Sequence, residues 1–299
     1  MTSIVIPAHN EGVVIGRLLD ALLADTADRD PGEGDIVVVC NGCTDDTARV
    51  AAARGPRVRV VDIPTPSKHT ALRVGDEHAR GFPRLYVDAD VILGAADVRA
   101  LVAALDKNPE LLAAAPGRDI PLTGCAWPVR AYYRVWQRLP AVREGLFGRG
   151  VIAVTEAGHA RIAALPPLMA DDLAASLAFG PRERRVVEAA RVVVRPPRTW
   201  SDLIKRKIRA STSSAELERV QAAQASQATP SATPAPSAPS ARTGTADLRA
   251  VLRDRPGLLP GVVVFVVAAL AARRGSRKAI RDGDFSTWLR DESSRQGSA

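Results

Sequence analysis

The sequence predicts an α/β protein built on a mostly parallel sheet flanked by helices. Three observations carry that expectation. Short apolar runs alternate with segments of helical periodicity from residue 3 to residue 108. The polar clusters PAHNEG, NGCTDD and DAD each fall directly after a predicted strand, where parallel sheets bind their ligands. The chain of 299 residues, 46% hydrophobic and 25% charged, has the length and composition of an ordinary folded core.

SIVIP (3–7) reads as the first strand. GVVIGRLLDALLAD (12–25) then places Val14, Leu18 and Leu22 on one helical face, with Ile15 and Leu19 beside them. DIVVVC (35–40) is the second strand, and TDDTARVAAAR (44–54) a helix with Thr44 at its N-cap. RVRVVDI (57–63), SKHTALRVGDEHARG (67–81), RLYVDA (84–89) and ADVRALVAALDKN (96–108) continue the alternation as strand, helix, strand and helix. Beyond 110 the pattern is less regular. A helix is expected in 125–139 after Pro128, strands in 148–156 and 184–194, an acid-initiated helix in 171–179, and a basic amphipathic helix in 199–210. Residues 221–246 are rich in Ala, Pro, Ser and Thr, which predicts a disordered linker. It would join a domain of 1–220 to a tail of 247–299 carrying a short apolar helix.

Lys and Arg outnumber Asp and Glu by 41 to 33, and the net charge of +8 favours anionic partners such as phosphorylated small molecules or acidic membrane surfaces. With only four Trp, three Tyr and five Phe, nucleic acid is not an expected partner. Cys40 and Cys43 form a C-x-x-C, but Asn41-Gly42 between them signals a turn rather than the helix start of a redox motif. No second pair completes a zinc site. Three cysteines and a strand pattern at the N-terminus lead us to expect a cytoplasmic protein without a signal peptide. The apolar stretch 258–272 falls short of the ~20 residues of a bilayer span. It fits a core helix, a homodimer contact, or peripheral contact with an anionic membrane, since ARRGSRK follows it.

LYVDADVIL (85–93) sets the chemical question. Asp88 and Asp90 interrupt an apolar strand, and two carboxylates leaving water together need a compensating charge. Where a strand ends, side chains at i and i+2 can converge on one cation. Mg²⁺ or Mn²⁺ takes such hard oxygen ligands together with substrate phosphates. Taken alone, D-x-D fits an exposed turn equally well.

PAHNEG, NGCTDD, Lys68, DAD and the pair Asp171-Asp172, in that order, resemble the family 2 glycosyltransferases over about residues 3–210. The resemblance implies the Rossmann-like nucleotide-diphosphosugar transferase (GT-A) fold. It also implies inverting, hexosyltransferase-type transfer of a sugar from a nucleotide-sugar donor to an acceptor hydroxyl, assisted by a divalent cation, Mn²⁺ or Mg²⁺. By position, Pro7, Ala8, Asn10 and Glu11 would wrap the nucleoside, with Glu11 near the ribose. Asn41 matches a base-contacting position that is usually aspartate, NGCTDD standing where DDGSTD is commoner. Asp45 matches the last acid of that loop, and Lys68 a lysine lining the base pocket. Asp88 and Asp90 match the acids around ribose and metal, Asp90 being the direct ligand. Asp172 matches the catalytic base, with Asp171 as helix cap. Arg206 and Arg209, with Lys205 and Lys207, stand where the family carries cations facing the diphosphate. Arg149, between two glycines, would sit in the acceptor region. Trp127, Tyr132, Tyr133 and Trp136 fit an acceptor platform or, at their helical spacing, core packing. Lipid-linked and small-molecule acceptors both stay open.

Two rivals remain at this level. LYVDADVIL also resembles the first motif of haloacid-dehalogenase-like phosphatases, but these carry it on the first strand and favour Thr or Val where Ile92 stands. PAHNEG would then have no role. A catalytically degenerate transferase-fold binding module is the other, against which the retention of every acid position argues.

Overall fold

The computed structural model describes residues 1–24, 34–166, 171–227 and 243–281. In chain order its elements are β1 (Thr2–Ala8), α1 (Ile15–Leu23), β2 (Gly34–Asn41), α2 (Thr47–Ala52), β3 (Val58–Ile63), α3 (Lys68–His78), β4 (Arg84–Val87), β5 (Ile92–Leu93), α4 (Ala95–Asp106) and β6 (Ala113–Asp119). There follow α5 (Trp127–Trp136), α6 (Pro140–Glu144), β7 (Val151–Val154), α7 (Glu156–Ala163), α8 (Asp171–Leu177), β8 (Arg184–Val193), α9 (Trp200–Gln227), α10 (Thr245–Asp254) and α11 (Leu259–Arg281). They form two compact units. Unit 1 comprises Met1–Pro121, Leu146–Leu165 and Ala178–Arg195; unit 2 comprises Leu122–Gly145, Pro166–Leu177 and Pro196–Ala299.

Among the described residues, unit 1 holds an eight-stranded sheet in the order β3-β2-β1-β4-β7-β6-β8-β5. β3, β2, β1 and β4 are parallel neighbours, as the alternation of strand and helix predicts. Past β4 the sheet is mixed: β7 runs antiparallel to both β4 and β6, β8 is parallel to β6, and β5 antiparallel to β8. Apolar side chains fill both faces. Ile15, Leu18, Leu19 and Leu22 of α1 and Leu101 and Leu105 of α4 pack with Ile4, Ile6, Ile36 and Val38 on one side. Val37, Val39 and Ala71 pack on the other. Burial of side chains of this size stabilises by ~1.5–3 kcal/mol each. Gly75 lets α3 lie close on the sheet, since a Cβ there would stand 2.3 Å from Val5 Cγ1.

Several boundaries differ from the sequence expectation, each for a local reason. α1 begins at Ile15 rather than Gly12, because the Val14 and Ile15 N–H groups first turn back onto the Glu11 carbonyl, both at 2.9 Å. α2 begins at Thr47, not after a Thr44 cap: Thr44 N–H donates to Asn10 Oδ1 (2.7 Å), and Asp45 Oδ1 accepts from Thr47 N–H (3.0 Å). β6, AAAPGRD, carries no strand pattern, its Ala, Pro and Gly being weak strand formers. Pairing with β7 and β8 holds it in the sheet, with a register shift between Pro116 and Gly117. α7 was equally hidden, and is capped by the Thr155 hydroxyl accepting from Gly158 N–H (3.2 Å). α9 runs on to Gln227, into the stretch expected to be linker, and the remainder of that stretch up to 242 lies outside the described residues.

In unit 2, α11 packs on α5 and α9. The Tyr132 ring stacks on Phe265 at 5.1 Å, and Tyr133 meets Tyr132 edge-on at 5.2 Å. Core packing is therefore what Tyr132 and Tyr133 do, whereas Trp127 on the same helix is exposed.

Candidate active site at the strand ends

The strand order creates a switch point. The chain passes from β1 outward to β2 and β3, then returns to place β4 on the other side of β1. Loops leaving the carboxyl ends of β1 and β4 therefore diverge, which opens the crevice where such sheets take ligands. Ser3 pairs with Arg84 and Val5 with Tyr86, so two positions further along the strands stand Pro7 and Asp88. PAHNEG and DAD thus share one end of the sheet.

The β1 and β2 loops are clipped together by their own polar groups. Asn41 is buried and its Nδ2 donates to the Ala8 carbonyl at 2.8 Å, while His9 Nδ1 lies 2.6 Å from the Asn41 carbonyl. Asn10 takes the left-handed conformation (φ 52°), which Asn tolerates better than other side chains. Its N–H donates to Cys43 Sγ (3.3 Å), and Cys43 in turn donates to the Ala8 carbonyl (3.4 Å). Glu11 N–H donates to the Thr47 hydroxyl (2.7 Å) and Gly12 N–H to Asp45 Oδ2 (3.0 Å). The C-x-x-C is thus part of a loop clamp. Burial, and after it the neighbouring Cys43, pushes the Cys40 thiol up to about 12, so it carries no thiolate at neutral pH.

Asp88 and Asp90 do not leave water together. β4 stops at Val87, and Asp88 to Asp90 form a turn in which Val91 N–H reaches back to the Asp88 carbonyl (3.4 Å). Asp88 is half-buried and pairs with Lys68 Nζ at 2.8 Å; Asp90 is exposed. The desolvation cost that the apolar sequence context implied is therefore relieved by strand termination. Lys68 is set by α3, whose first turn is capped by Ser67 Oγ accepting from Thr70 N–H (3.2 Å). Beneath β4, Asp76 Oδ1 accepts from Arg84 Nη1 (2.8 Å) and the Tyr86 hydroxyl (2.7 Å), and Tyr86 meets His159 Nδ1 at 2.8 Å. That network ties β4 to α3 and α7. Asp88 is also fixed from β7's side, its N–H donating to the Gly150 carbonyl at 2.8 Å. Gly150 adopts φ +64°, and a Cβ there would stand 2.6 Å from Val91 Cγ1 and 3.1 Å from Asp88 Oδ2.

Arg17 of α1 lies within electrostatic reach of Asp90 and of Arg195 after β8. Burial, then repulsion from Arg195, lowers the Arg17 pKa, and attraction to Asp90 opposes them. Nothing in the sequence pattern singled out these two cations. Arg149 is buried, donates Nη1 to the Pro116 carbonyl (2.9 Å), and is lowered to about 10 by burial. That bond ties the turn containing Gly150 to β6. Unit 1 therefore brings together Pro7, Ala8, Asn10, Glu11, Asn41 and Asp45 in one clamp, and Lys68, Asp88 and Asp90 beside β4. Asp172, exposed on α8, and Arg206 and Arg209, half-buried on α9, belong to unit 2.

The sequence matches the family model described as glycosyl transferase family 2 over residues 3–160, more than half of the chain. The chain belongs to glycosyl transferase family 2. Uncharacterised glycosyltransferases of Mycobacterium tuberculosis and Mycobacterium bovis are each 36% identical to it over 126 residues, 42% of this chain and 52% of theirs. The chain thus spans about half the length of these curated relatives. The mannosyltransferase PcManGT of Pyrobaculum calidifontis, in complex with GDP-Man and Mn²⁺, is similar with a TM-score of 0.57 at 18% identity, covering 96% of this chain and 84% of that one. That likeness shows the fold, a GT-A-like mixed sheet flanked by helices. Membership replaces the phosphatase alternative, and PAHNEG and DAD both lie inside the matched segment. The matched segment contains the whole strand-end set and stops before Asp172.

The family 2 site has donors suited to a divalent cation bound jointly with substrate. Asp90 and Asp88 offer hard carboxylate oxygens, and Mg²⁺ or Mn²⁺ is commonly held by one or two carboxylates plus phosphates. Among the described residues no group of three or more His, Cys, Asp or Glu could hold a metal ion. Asp88 and Asp90 would therefore supply part of a cation's ligand set, the rest coming from other oxygen ligands.

Proposed function

We propose that this chain is an inverting glycosyltransferase that moves a hexose from a nucleotide-diphosphate donor to an acceptor hydroxyl with a divalent cation. The observation that carries the reading is the switch point: Lys68, Asp88 and Asp90 stand together where β1 and β4 diverge. Family membership and the GDP-Man and Mn²⁺ held by the structural relative support both donor and metal.

Each residue then has a task. Pro7, Ala8, Asn10 and Glu11 wrap the nucleoside. Asn41 and Asp45 shape the base side of the pocket, with Lys68 lining it. Asp88 takes the ribose side and Asp90 the metal; Mn²⁺ or Mg²⁺, when bound, neutralises charge on the departing diphosphate. Arg17, within electrostatic reach of Asp90, adds positive potential there, which favours an anionic ligand. Asp172 accepts the proton of the acceptor hydroxyl as its oxygen attacks the anomeric carbon and the bond to the diphosphate breaks. Arg206 and Arg209 face the diphosphate as it leaves.

A thermal-shift panel of UDP-, GDP- and dTDP-sugars, each with and without Mn²⁺, tests the donor. A ligand at 100 times its Kd stabilises by about 2.7 kcal/mol, which raises Tm by roughly 5–10 °C. One nucleotide plus metal should give that shift. Asp90→Ala should abolish its metal-dependent part. Asp172→Asn should keep it and lose ~10²–10⁴-fold in turnover. Near-full turnover by Asp172→Asn would remove it as base, and a shift with a sugar nucleotide but no transfer would favour a catalytically degenerate binding module.

A further inference from the structure

α11 is apolar on two sides. Val262, Phe265, Ala268 and Ala272 are buried, and the helix packs on α5 and α9. The opposite stripe is open: Leu259 is 57% exposed, Val263 56%, Val267 49% and Leu270 49%, with Val266 beside them. Their spacing keeps them on one face, and the same spacing continues into Arg273, Arg274 and Arg277, all exposed. A contiguous apolar stripe of this kind marks an interaction surface.

We propose that this stripe docks on an anionic phospholipid surface, with the helix lying in the interface and its three arginines at the lipid phosphates. By length and composition Pro256–Arg277 is apolar enough to cross a membrane. Its packed side decides against crossing. α5 and α9 carry Arg130, Arg134, Lys205, Arg206 and Arg209, which a spanning α11 would draw into hydrocarbon at a cost of several kcal/mol. Charge decides between a membrane and a second copy. An isologous contact sets the same stripe against itself. Residues 259–281 hold four Arg and one Lys and no Asp or Glu, so the helix offers the arginines no counter-charge of its own. Lipid phosphates supply one. The short α10 just before it carries Arg249 and Arg253 balanced by Asp247 and Asp254, so the positive charge of this region lies on α11 itself. The sugar-transfer reading is not needed for this inference.

Flotation of the full chain with vesicles of phosphatidylcholine, with or without phosphatidylglycerol, tests it. The protein should float with the anionic vesicles and be released as salt rises. Val263→Asp/Leu270→Asp should lose binding. Arg274→Ser/Arg277→Ser should bind about 25-fold more weakly, at about fivefold for each arginine. The replaced side chains are exposed, so both variants should keep the wild-type urea midpoint and donor binding. Wild-type protein that stays unbound, or variants that float as well as wild type, would overturn the proposal. So would light scattering showing a dimer that Val263→Asp/Leu270→Asp makes monomeric in the absence of any flotation.

Discussion

Replacing Gly150 by alanine perturbs the turn that positions Asp88 without adding or removing a charge. Two costs arise. At φ +64° an L-residue sits in the left-handed region, at ~1–2 kcal/mol. The new Cβ would also stand 2.6 Å from Val91 Cγ1, and overpacking of this order costs ~1–3 kcal/mol. Gly150→Ala should therefore lower unfolding stability by about 2–5 kcal/mol. Gly55→Ala is the matched control: its φ is +87°, but nothing lies within 4 Å of the added Cβ, so only the backbone cost applies. Urea unfolding of the two variants separates steric from conformational cost. A second readout tests function. The Cβ would lie 3.1 Å from Asp88 Oδ2, so the carboxylate must shift from the Lys68 amine it meets at 2.8 Å. Nucleotide affinity should fall about tenfold or more, the equivalent of 1.4 kcal/mol. If Gly150→Ala matched Gly55→Ala in stability and wild type in nucleotide affinity, the geometry assigned to the β4–β7 corner would be wrong.

Other consequences follow from buried polar groups. Lys207 Nζ lies over the rings of Tyr132 (5.1 Å) and Phe265 (5.5 Å), and burial, then Arg273, holds its pKa down to about 8 from an ordinary 10.5. Between those values the unfolded chain binds a proton that the folded chain has released, so stability should rise with pH across pH 8–10.5, by at most ~3 kcal/mol. Lys207→Met should flatten that rise in urea titrations at pH 7.5 and 10, and an unchanged slope would show the amine to be well solvated. Asn41→Ala should cost about 1–3 kcal/mol, because the buried 2.8 Å bond to the Ala8 carbonyl is lost and the Cys43 thiol at 3.4 Å is a weaker donor to it. A variant as stable as wild type in thermal unfolding would mean that water replaces that bond freely.

Much of the site could be read before folding. Pro7 to Glu11, Asn41 to Asp45, and Asp88 to Asp90 were placed at strand ends by periodicity alone, and the fold sets them there. The apolar surroundings of Asp88 and Asp90 nonetheless misled about burial. A one-dimensional pattern does not reveal that β4 stops at Val87, leaving Asp90 exposed. Arg17 and Arg195 carry no local signal either. They are far apart in the chain, and only the fold brings Arg17 within electrostatic reach of both Arg195 and Asp90.

The sequence by itself determined the alternating elements, the parallel half of the sheet and the order of the polar motifs, because these depend on residues within a few positions of one another. Tertiary structure decided which groups became partners. It chose Lys68 for Asp88, made Cys43 a loop clasp, drew the strandless AAAPGRD into the sheet as β6, and turned one face of α11 inward while leaving the other bare. Those choices rest on contacts between distant segments, where sheet pairing and burial outweigh local propensity.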